Sequence, residues 1–229
     1  MKQYYLLICT LLMLVCLSSC SRGAENIPCD KQADDLDKAY DAIVTERSPD
    51  PKRVFKQFNE LKQKTESAIK NCPDNIRLYS ILSSVYMGLG RNNDALTSAQ
   101  KAFAINSESA AANSLMGDSL SVLNRFAEAF PYLEKAVRLQ PDNIFYQLNL
   151  CSTYEMAKQY EKAIDTCSKI IKNIKKKDEK FLGDALYVRA RAYQAIGRKN
   201  EAKKDFDHAK ALGVDLSEYY TPEHLGQKP

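Results

Sequence analysis

Small and apolar residues return along this chain in fixed columns. Ala95, Ala129 and Ala163 are spaced 34 residues apart, and Ala202 repeats their surroundings after a five-residue insertion. Seven positions beyond them stand Ala102, Ala136, Ile170 and Ala209, and five positions before them stand Gly90, Asn124, Lys158 and Gly197. One repeating unit accounts for all three columns, running 76–109, 110–143, 144–177 and 183–216. Upstream, Ala33, Leu36, Tyr40, Ile43 and Val44 form one helical stripe, and Val54, Phe55, Phe58, Leu61, Ala68 and Ile69 form another. Ser48, Pro49, Asp50 and Pro51 break the two apart, so residues 30–75 read as a further helical hairpin, less regular than the units that follow.

The first full unit carries Tyr79, Leu82, Ser83, Tyr86, Ala95, Ala99 and Ala102. The second supplies Met116, Gly117, Leu120, Phe126, Ala129, Leu133, Ala136 and Pro141, and the third Leu150, Cys151, Tyr154, Tyr160, Ala163 and Cys167. The fourth has Leu186, Ala190, Tyr193, Gly197, Ala202, Phe206 and Ala209. At this period the pattern resembles the tetratricopeptide repeat, a helix-turn-helix of about 34 residues. It departs at Ala99, where an aromatic is preferred, and at Arg189, where leucine is usual. The resemblance implies an all-α, right-handed superhelix, here of five hairpins with the first degenerate as a cap, whose concave side is formed by the first helix of each unit. Small residues at Ser83, Gly117, Cys151 and Ala190 are expected to face the alanine columns across each helix pair, letting the backbones approach closely. No unit can bury its apolar face alone, so stacking is what supplies the core.

The N-terminus changes the picture of where such a solenoid works. Lys2 precedes an apolar stretch from Tyr4 to Leu17, of signal-sequence length and short for a membrane span. Leu17, Ser18, Ser19 and Cys20 follow, and this tetrad resembles the lipobox of bacterial lipoproteins. The resemblance implies removal of residues 1–19, acylation of Cys20, and a stable membrane anchor built from several acyl chains. The alternative is an ordinary secretory signal with an incidental cysteine. Ser21, rather than Asp, follows the acylated position, which in the enterobacterial family implies the outer membrane with the protein facing the periplasm. Residues 20–29 make a short tether, holding the solenoid within roughly 30 Å of the bilayer.

Four cysteines remain after Cys9, Cys16 and Cys20 are set aside. Cys29 begins the first hairpin and Cys72 ends it, and antiparallel helices of similar length bring such ends together, which favours a disulfide there. Cys151 and Cys167 sit equidistant from the turn of one hairpin and suit either a disulfide or two small core residues. Zinc is the poorer reading, because there is no Cys-x-x-Cys and His208 and His224 are the only imidazoles.

No nucleophile with a base, phosphate-cradling glycine loop or metal motif can be nominated, so the chain reads as a non-enzyme without cofactors. His208, beside Asp205 and Asp207, reads as a solvated helix face. The whole chain has 33 basic and 29 acidic residues, too mild a balance to argue for nucleic acid. One local run stands out: Lys172, Lys175, Lys176, Lys177 and Lys180, which suits a helix C-terminus and is the alternative route to contact with glycan or anionic lipid. Residues 217–229 form a tail that offers no convincing polar capping helix, leaving the end of the solenoid open to the tail itself, a second copy or another component.

The expected concave face is formed by Arg77, Ile81, Ser84 and Met87, then Leu115, Asp118 and Val122, then Phe145, Leu148, Asn149 and Met156, then Tyr187, Val188, Arg191 and Gln194. Chaperone-binding relatives place Lys, Asn and Arg there to clamp a carboxylate, and only Asn149 and Arg191 are comparable. A mostly apolar groove suits an apolar or amphipathic helical segment, with Met87 and Met156 as adaptable contacts. The expected role is therefore a membrane-anchored scaffold or assembly factor for other envelope proteins. The alternative is an accessory subunit that binds glycan or peptidoglycan through the lysine run and exposed tyrosines.

Overall fold

The first three repeats each begin where a short polar side chain caps a helix. Asn75, Ser109 and Asn143 accept hydrogen bonds from backbone N–H groups two or three residues on, satisfying donors the first turn leaves open. The computed structural model describes residues 28–46 and 50–214, apart from the side chains of 177, 178 and 180. Among these residues ten α-helices follow one another: α1 (Cys29–Glu46), α2 (Pro51–Asn71), α3 (Ile76–Gly88), α4 (Asn92–Ile105), α5 (Ala110–Val122), α6 (Phe126–Leu139), α7 (Ile144–Met156), α8 (Tyr160–Asn173), α9 (Leu182–Ala195) and α10 (Lys199–Ala211). A 3-10 helix over Lys176–Phe181 takes up the insertion.

The column five residues before the alanines is the turn. Gly90, Asn124, Lys158 and Gly197 have φ of 71°, 58°, 60° and 79°, the left-handed region in which a helix commonly ends. The following N–H donates back across the turn in every unit, from Arg91 to Tyr86, Arg125 to Leu120, Gln159 to Tyr154 and Arg198 to Tyr193, at 2.8–2.9 Å. In three units an arginine just after the turn pairs three residues on: Arg91 with Asp94, Arg125 with Glu128, Arg198 with Glu201. Sequence periodicity and turn chemistry thus agree on where the helices of each repeat meet.

Each helix packs on the next, and the odd-numbered helices also touch one another, α1 on α3, α3 on α5, α5 on α7 and α7 on α9. Among the described residues no two even-numbered helices pack backbone to backbone, and α4 reaches α6 through side-chain tips, the rings of Phe103 and Tyr132 lying 5.4 Å apart. The odd helices form a crowded inner layer and the even helices an outer one, the arrangement of an all-α solenoid. The alanine columns are fully or nearly fully buried between layers, as are Ser83, Cys151 and Ala190 opposite them. Volumes are matched across the pair: Ser83 lies in the unit with Ala99, Gly117 with Leu133, Cys151 with Cys167 and Ala190 with Phe206. At Gly117 a β-carbon would come within 2.4 Å of Leu133 Cγ, so only glycine fits against that leucine.

Cys29 and Cys72 are joined, Cα–Cα 5.8 Å, closing the first hairpin at its open end. Cys151 and Cys167 are joined as well, Cα–Cα 5.8 Å, inside the third repeat. The first hairpin is packed as its stripes imply through Ala33, Leu36, Ile43, Phe58, Leu61 and Ala68. Val44 and Phe55, assigned to the same stripes, are exposed. Asp50 caps α2 and Pro51 occupies its first turn, where a missing N–H costs nothing.

One expectation is corrected at the other end. The outward face of α10 is polar, with only Ala202, Asp205, Phe206 and Ala209 buried. Asp205 is among them and does not lie on a solvated face with His208. It meets Arg189, which replaces the usual leucine: Nε and Nη2 donate to the Asp205 carboxylate at 2.7 and 2.8 Å, and Nη1 to Ser168 Oγ at 3.0 Å. One charge for an apolar side chain is thereby answered by a second charge and a hydroxyl from two neighbouring helices.

Candidate functional site

The inner layer holds the residues expected to form the concave face, and the structure divides them into three groups. Ile81, Leu115 and Val188 occupy the sixth column of their repeats and are buried, as is Leu148 in the fifth. The reason is the contact between successive odd helices: a side chain at the sixth column points along the solenoid axis into a neighbouring inner helix, as Ile81 clusters with Ala33 and Leu36 of α1 and Val188 with Ile144 and Leu148 of α7. Leu115 packs in a cluster with Leu96, Ala112, Met116 and Leu150, and Leu148 with Ile144, Cys151 and Val188. Ile81, Leu115 and Leu148 are therefore core residues, not groove lining, and a charge at Leu115 would be expected to unfold the repeat.

The polar candidates are tied to neighbouring helices. Arg77 on α3 forms ion pairs with Asp34 and Asp37 on α1, and those partners hold its guanidinium above the ordinary value, Asp37 first. Ser83 on α3 donates to Ala95 O and meets Ser119 Oγ on α5 at 3.2 Å. Asn149 on α7 donates from Nδ2 to Asp118 Oδ2 on α5 at 2.7 Å and to Ser114 Oγ at 3.2 Å. The hydroxyls of Ser121 on α5 and Thr153 on α7 lie 3.1 Å apart. Arg191 on α9 pairs with Glu155 on α7 at 3.0 Å, and burial keeps the Glu155 carboxyl above its usual range against that pull. Every step from one inner helix to the next thus carries a polar crosslink. Asn149 and Arg191, the two residues comparable with a carboxylate clamp, serve this ladder.

Asp118 belongs to the ladder and differs from it. Desolvation pushes its carboxyl from the ordinary 3.8 up to about 7, against the hydrogen bonds from Ser114 and Asn149 that favour the charged form. Asp118 stands out in the sequence, whereas its partner Ser114 and the buried Glu155, a carboxylate just before Met156 in an otherwise uncharged helix, do not.

The remaining candidates are apolar and open. Phe145 is 46% exposed, Met156 40% and Val122 38%, and Met87 and Tyr187 are half-buried. Tyr187 packs its ring 5.8 Å from Phe206 and lies under the Arg191 guanidinium at 6.0 Å. Phe145 stands at the start of α7 beside Phe181 of the insertion, ring centroids 6.4 Å apart. These two, with Gln140, Pro141, Asp142, Asn143 and Ile144, line a pocket of about 440 Å³. Phe181 is a contribution no sequence column announced, because it comes from the insertion that interrupts the period. Lys172, Lys175 and Lys176 are exposed beside it.

Among the described residues no group of three or more His, Cys, Asp or Glu is placed to hold a metal, and no helix is long and apolar enough to cross a membrane. Cys20 and the tail from Asp215, with Tyr219 and Tyr220, lie outside the described residues.

Comparison with known proteins agrees with this architecture. The sequence profile described as "Tetratricopeptide repeat" matches residues 110–143 and 183–212. Comparison with curated proteins finds no match. Among solved structures, MamA superposes with a TM-score of 0.53 at 24% identity, covering 73% of this chain and 95% of that one. TTC0263 from Thermus thermophilus gives 0.64 at 16%, covering 84% and 98%. PilW gives 0.64 at 20%, covering 84% of each chain. With its 34-residue period, two-layer stacking and left-handed turn column, the chain has the fold of an all-α tetratricopeptide-repeat solenoid, and two of its units match that family's sequence profile.

Proposed function

We propose that this chain is an adaptor of the bacterial cell envelope, anchored to the outer membrane by an acylated Cys20 and facing the periplasm, that holds partner proteins and performs no chemistry of its own. The observation carrying the reading is the set of solvent-open apolar side chains on the inner layer, Val122 and Met156 at the ends of α5 and α7 and Phe145 at the start of α7, on helices whose polar residues are already committed to one another. Open apolar surface on a rigid concave layer suits an apolar or amphipathic helical segment of a partner. Similar solved structures support a role of this kind: PilW is a widely conserved type IV pilus biogenesis factor, and YrrB is a tetratricopeptide-repeat protein with an unusual peptide-binding site. The lipobox-like tetrad at Leu17 to Cys20 supplies the anchor.

The test is a crosslinked pull-down from intact cells with the acylated chain, beside a Cys20→Ala control and a Phe145→Glu/Met156→Glu variant. The expected result is one envelope protein recovered with the anchored chain and lost with the double variant, whose circular dichroism is unchanged because both sites are exposed. Equal recovery by the double variant would remove the inner face from the mechanism. The glycan reading rests on the exposed Lys172, Lys175 and Lys176, none of which forms an ion pair among the described residues. Replacing these with glutamate abolishes peptidoglycan co-sedimentation on that reading and leaves protein capture intact on ours.

A further inference from the structure

Asp118 is set apart from the other charged side chains of the inner layer. Arg77 is answered by two aspartates and Glu155 by Arg191. Asp118 is a largely desolvated carboxylate that forms no ion pair among the described residues. Its two hydrogen bonds, from Ser114 Oγ at 3.3 Å and Asn149 Nδ2 at 2.7 Å, both end on Oδ2. Neither of these bonds uses Oδ1, and the residue is half-buried and not sealed in the interior. The groups facing it are Ser114 from its own helix and Asn149 and Tyr146 from α7, the last with its phenol raised first by burial and then by the Asp118 charge.

A carboxylate in such a place is costly to the folded protein unless a cation answers it. Folding has already stripped most of its water, so a cation arriving from outside meets the attraction without having to desolvate the acid again. Oδ2 is held in a fixed direction by Asn149, which leaves Oδ1 as the point of approach. The apolar surface is adjacent: Val122 lies one helical turn beyond Asp118 on α5, and Met156 is on the next inner helix.

We propose that Oδ1 of Asp118 receives a lysine or arginine side chain carried by the apolar segment that binds the inner layer, so that the partner is an apolar helix with one basic residue about a turn from the side chain packing on Val122. This rests on the adaptor reading and adds to it the chemistry that selects the partner. A charge-assisted hydrogen bond in a desolvated site is among the stronger single contacts an interface contains, and its absence leaves the carboxylate unanswered.

The experiment uses the full chain with Cys20→Ala, so that no acyl chain competes, and two fluorescein-labelled Leu/Ala helices, each roughly 18 residues long and so about five turns, that differ at one central position, lysine or norleucine. Fluorescence anisotropy is expected to show the lysine peptide binding about tenfold more tightly, with Asp118→Asn binding both peptides at the norleucine level. Asparagine keeps an acceptor for Asn149, and a thermal melt checks the variant's fold. Equal binding of the two peptides by the unsubstituted site overturns the inference and leaves the apolar face standing. Binding of neither peptide overturns both.

Discussion

The pair formed by Arg189 and Asp205 offers the sharpest test of how this solenoid tolerates a broken repeat pattern. The Arg189 side chain is 18% exposed and that of Asp205 6%, so both charges have left most of their water. Asp205, the largest influence, raises the Arg189 guanidinium above its ordinary value, and Ser168 and the Tyr193 ring, 5.7 Å away, complete the surroundings. Changing Asp205→Ala leaves a half-buried guanidinium with one hydroxyl, and breaking a buried pair from one side costs about 3–5 kcal/mol. The expected value lies toward the lower figure, because Arg189 keeps some contact with water. Changing both together, Arg189→Leu with Asp205→Leu, restores the leucine found in the same column at Leu82 and Leu150 and removes both desolvation costs. That double variant is expected within about 1 kcal/mol of the parent, on either side. The assay is urea unfolding followed by circular dichroism for the parent, both single variants and the double variant. If Asp205→Ala costs less than about 1 kcal/mol, the pair is a surface ion pair in energetic terms and the burial argument fails. If the double variant is as damaged as the single one, the charges hold the α9–α10 hairpin in a way leucine cannot.

Gly117→Ala is expected to lower stability by about 1–2 kcal/mol, the cost of moving Leu133 outweighing alanine's better helix propensity, and adding Leu133→Ala should relieve the clash while leaving the cost of a cavity. Thermal melts of the two variants decide it, since a neutral Gly117→Ala means the helices can part freely. Lys158→Gly should stabilise by about 0.5–1 kcal/mol, because φ of 60° strains a lysine more than glycine's extra chain entropy costs, and chemical denaturation that shows a loss would contradict the turn assignment. Asp118 titrates at about 7 when folded and near 3.8 when not, so its contribution to stability is complete below about pH 4 and is lost as pH rises through 7. The upper bound on that loss is about 4 kcal/mol, reduced because Asp118 is only half-buried, and Asp118→Asn should flatten the stability profile across roughly pH 4–7. Limited reduction should open Cys29–Cys72 first, since Cys29 is exposed and both cysteines of Cys151–Cys167 are fully buried, with thiol alkylation and mass spectrometry giving the order.

The fold was legible because its determinants are local and repeated. An alanine every 34 residues and a turn residue five positions earlier, with a capping residue at the start of the first three units, specify helix, stop and next helix without any long-range information. The face was less legible because its determinants are not local. Whether the sixth column points into a neighbour or into solvent depends on how far one inner helix rotates against the next. That rotation is a property of the stacked units, and no single unit contains it. Ile81, Leu115 and Leu148 therefore read as groove when they are core, while Phe145 and Met156 stay open because they sit at the ends of α7, where the neighbouring helix no longer covers them. Phe181 was invisible because it belongs to the insertion, which has no column to be compared with. Glu155 was passed over because its partner Arg191 lies a full repeat away.

The polar crosslinks bear on how such a surface can act. A solenoid whose neighbours met only through apolar contacts would be held by forces with no fixed direction, and its inner layer could slide or splay at modest cost. Here a directional bond spans each step: Arg77 to α1, Ser83 to Ser119, Asn149 to Asp118 and Glu155 to Arg191. Such bonds set the register of each inner helix on the last, so the open apolar side chains are presented at fixed spacing before any partner arrives. Preorganisation of that kind lowers the entropy lost on binding, and it makes the spacing of a partner's apolar residues a condition for capture. Disulfides in the first hairpin and the third repeat stiffen two of the units as well. The ladder therefore has a consequence distinct from stability: cutting one rung, as in Asn149→Ala, should weaken partner binding more than the loss of melting temperature alone accounts for, because the inner face would then have to be ordered by its ligand.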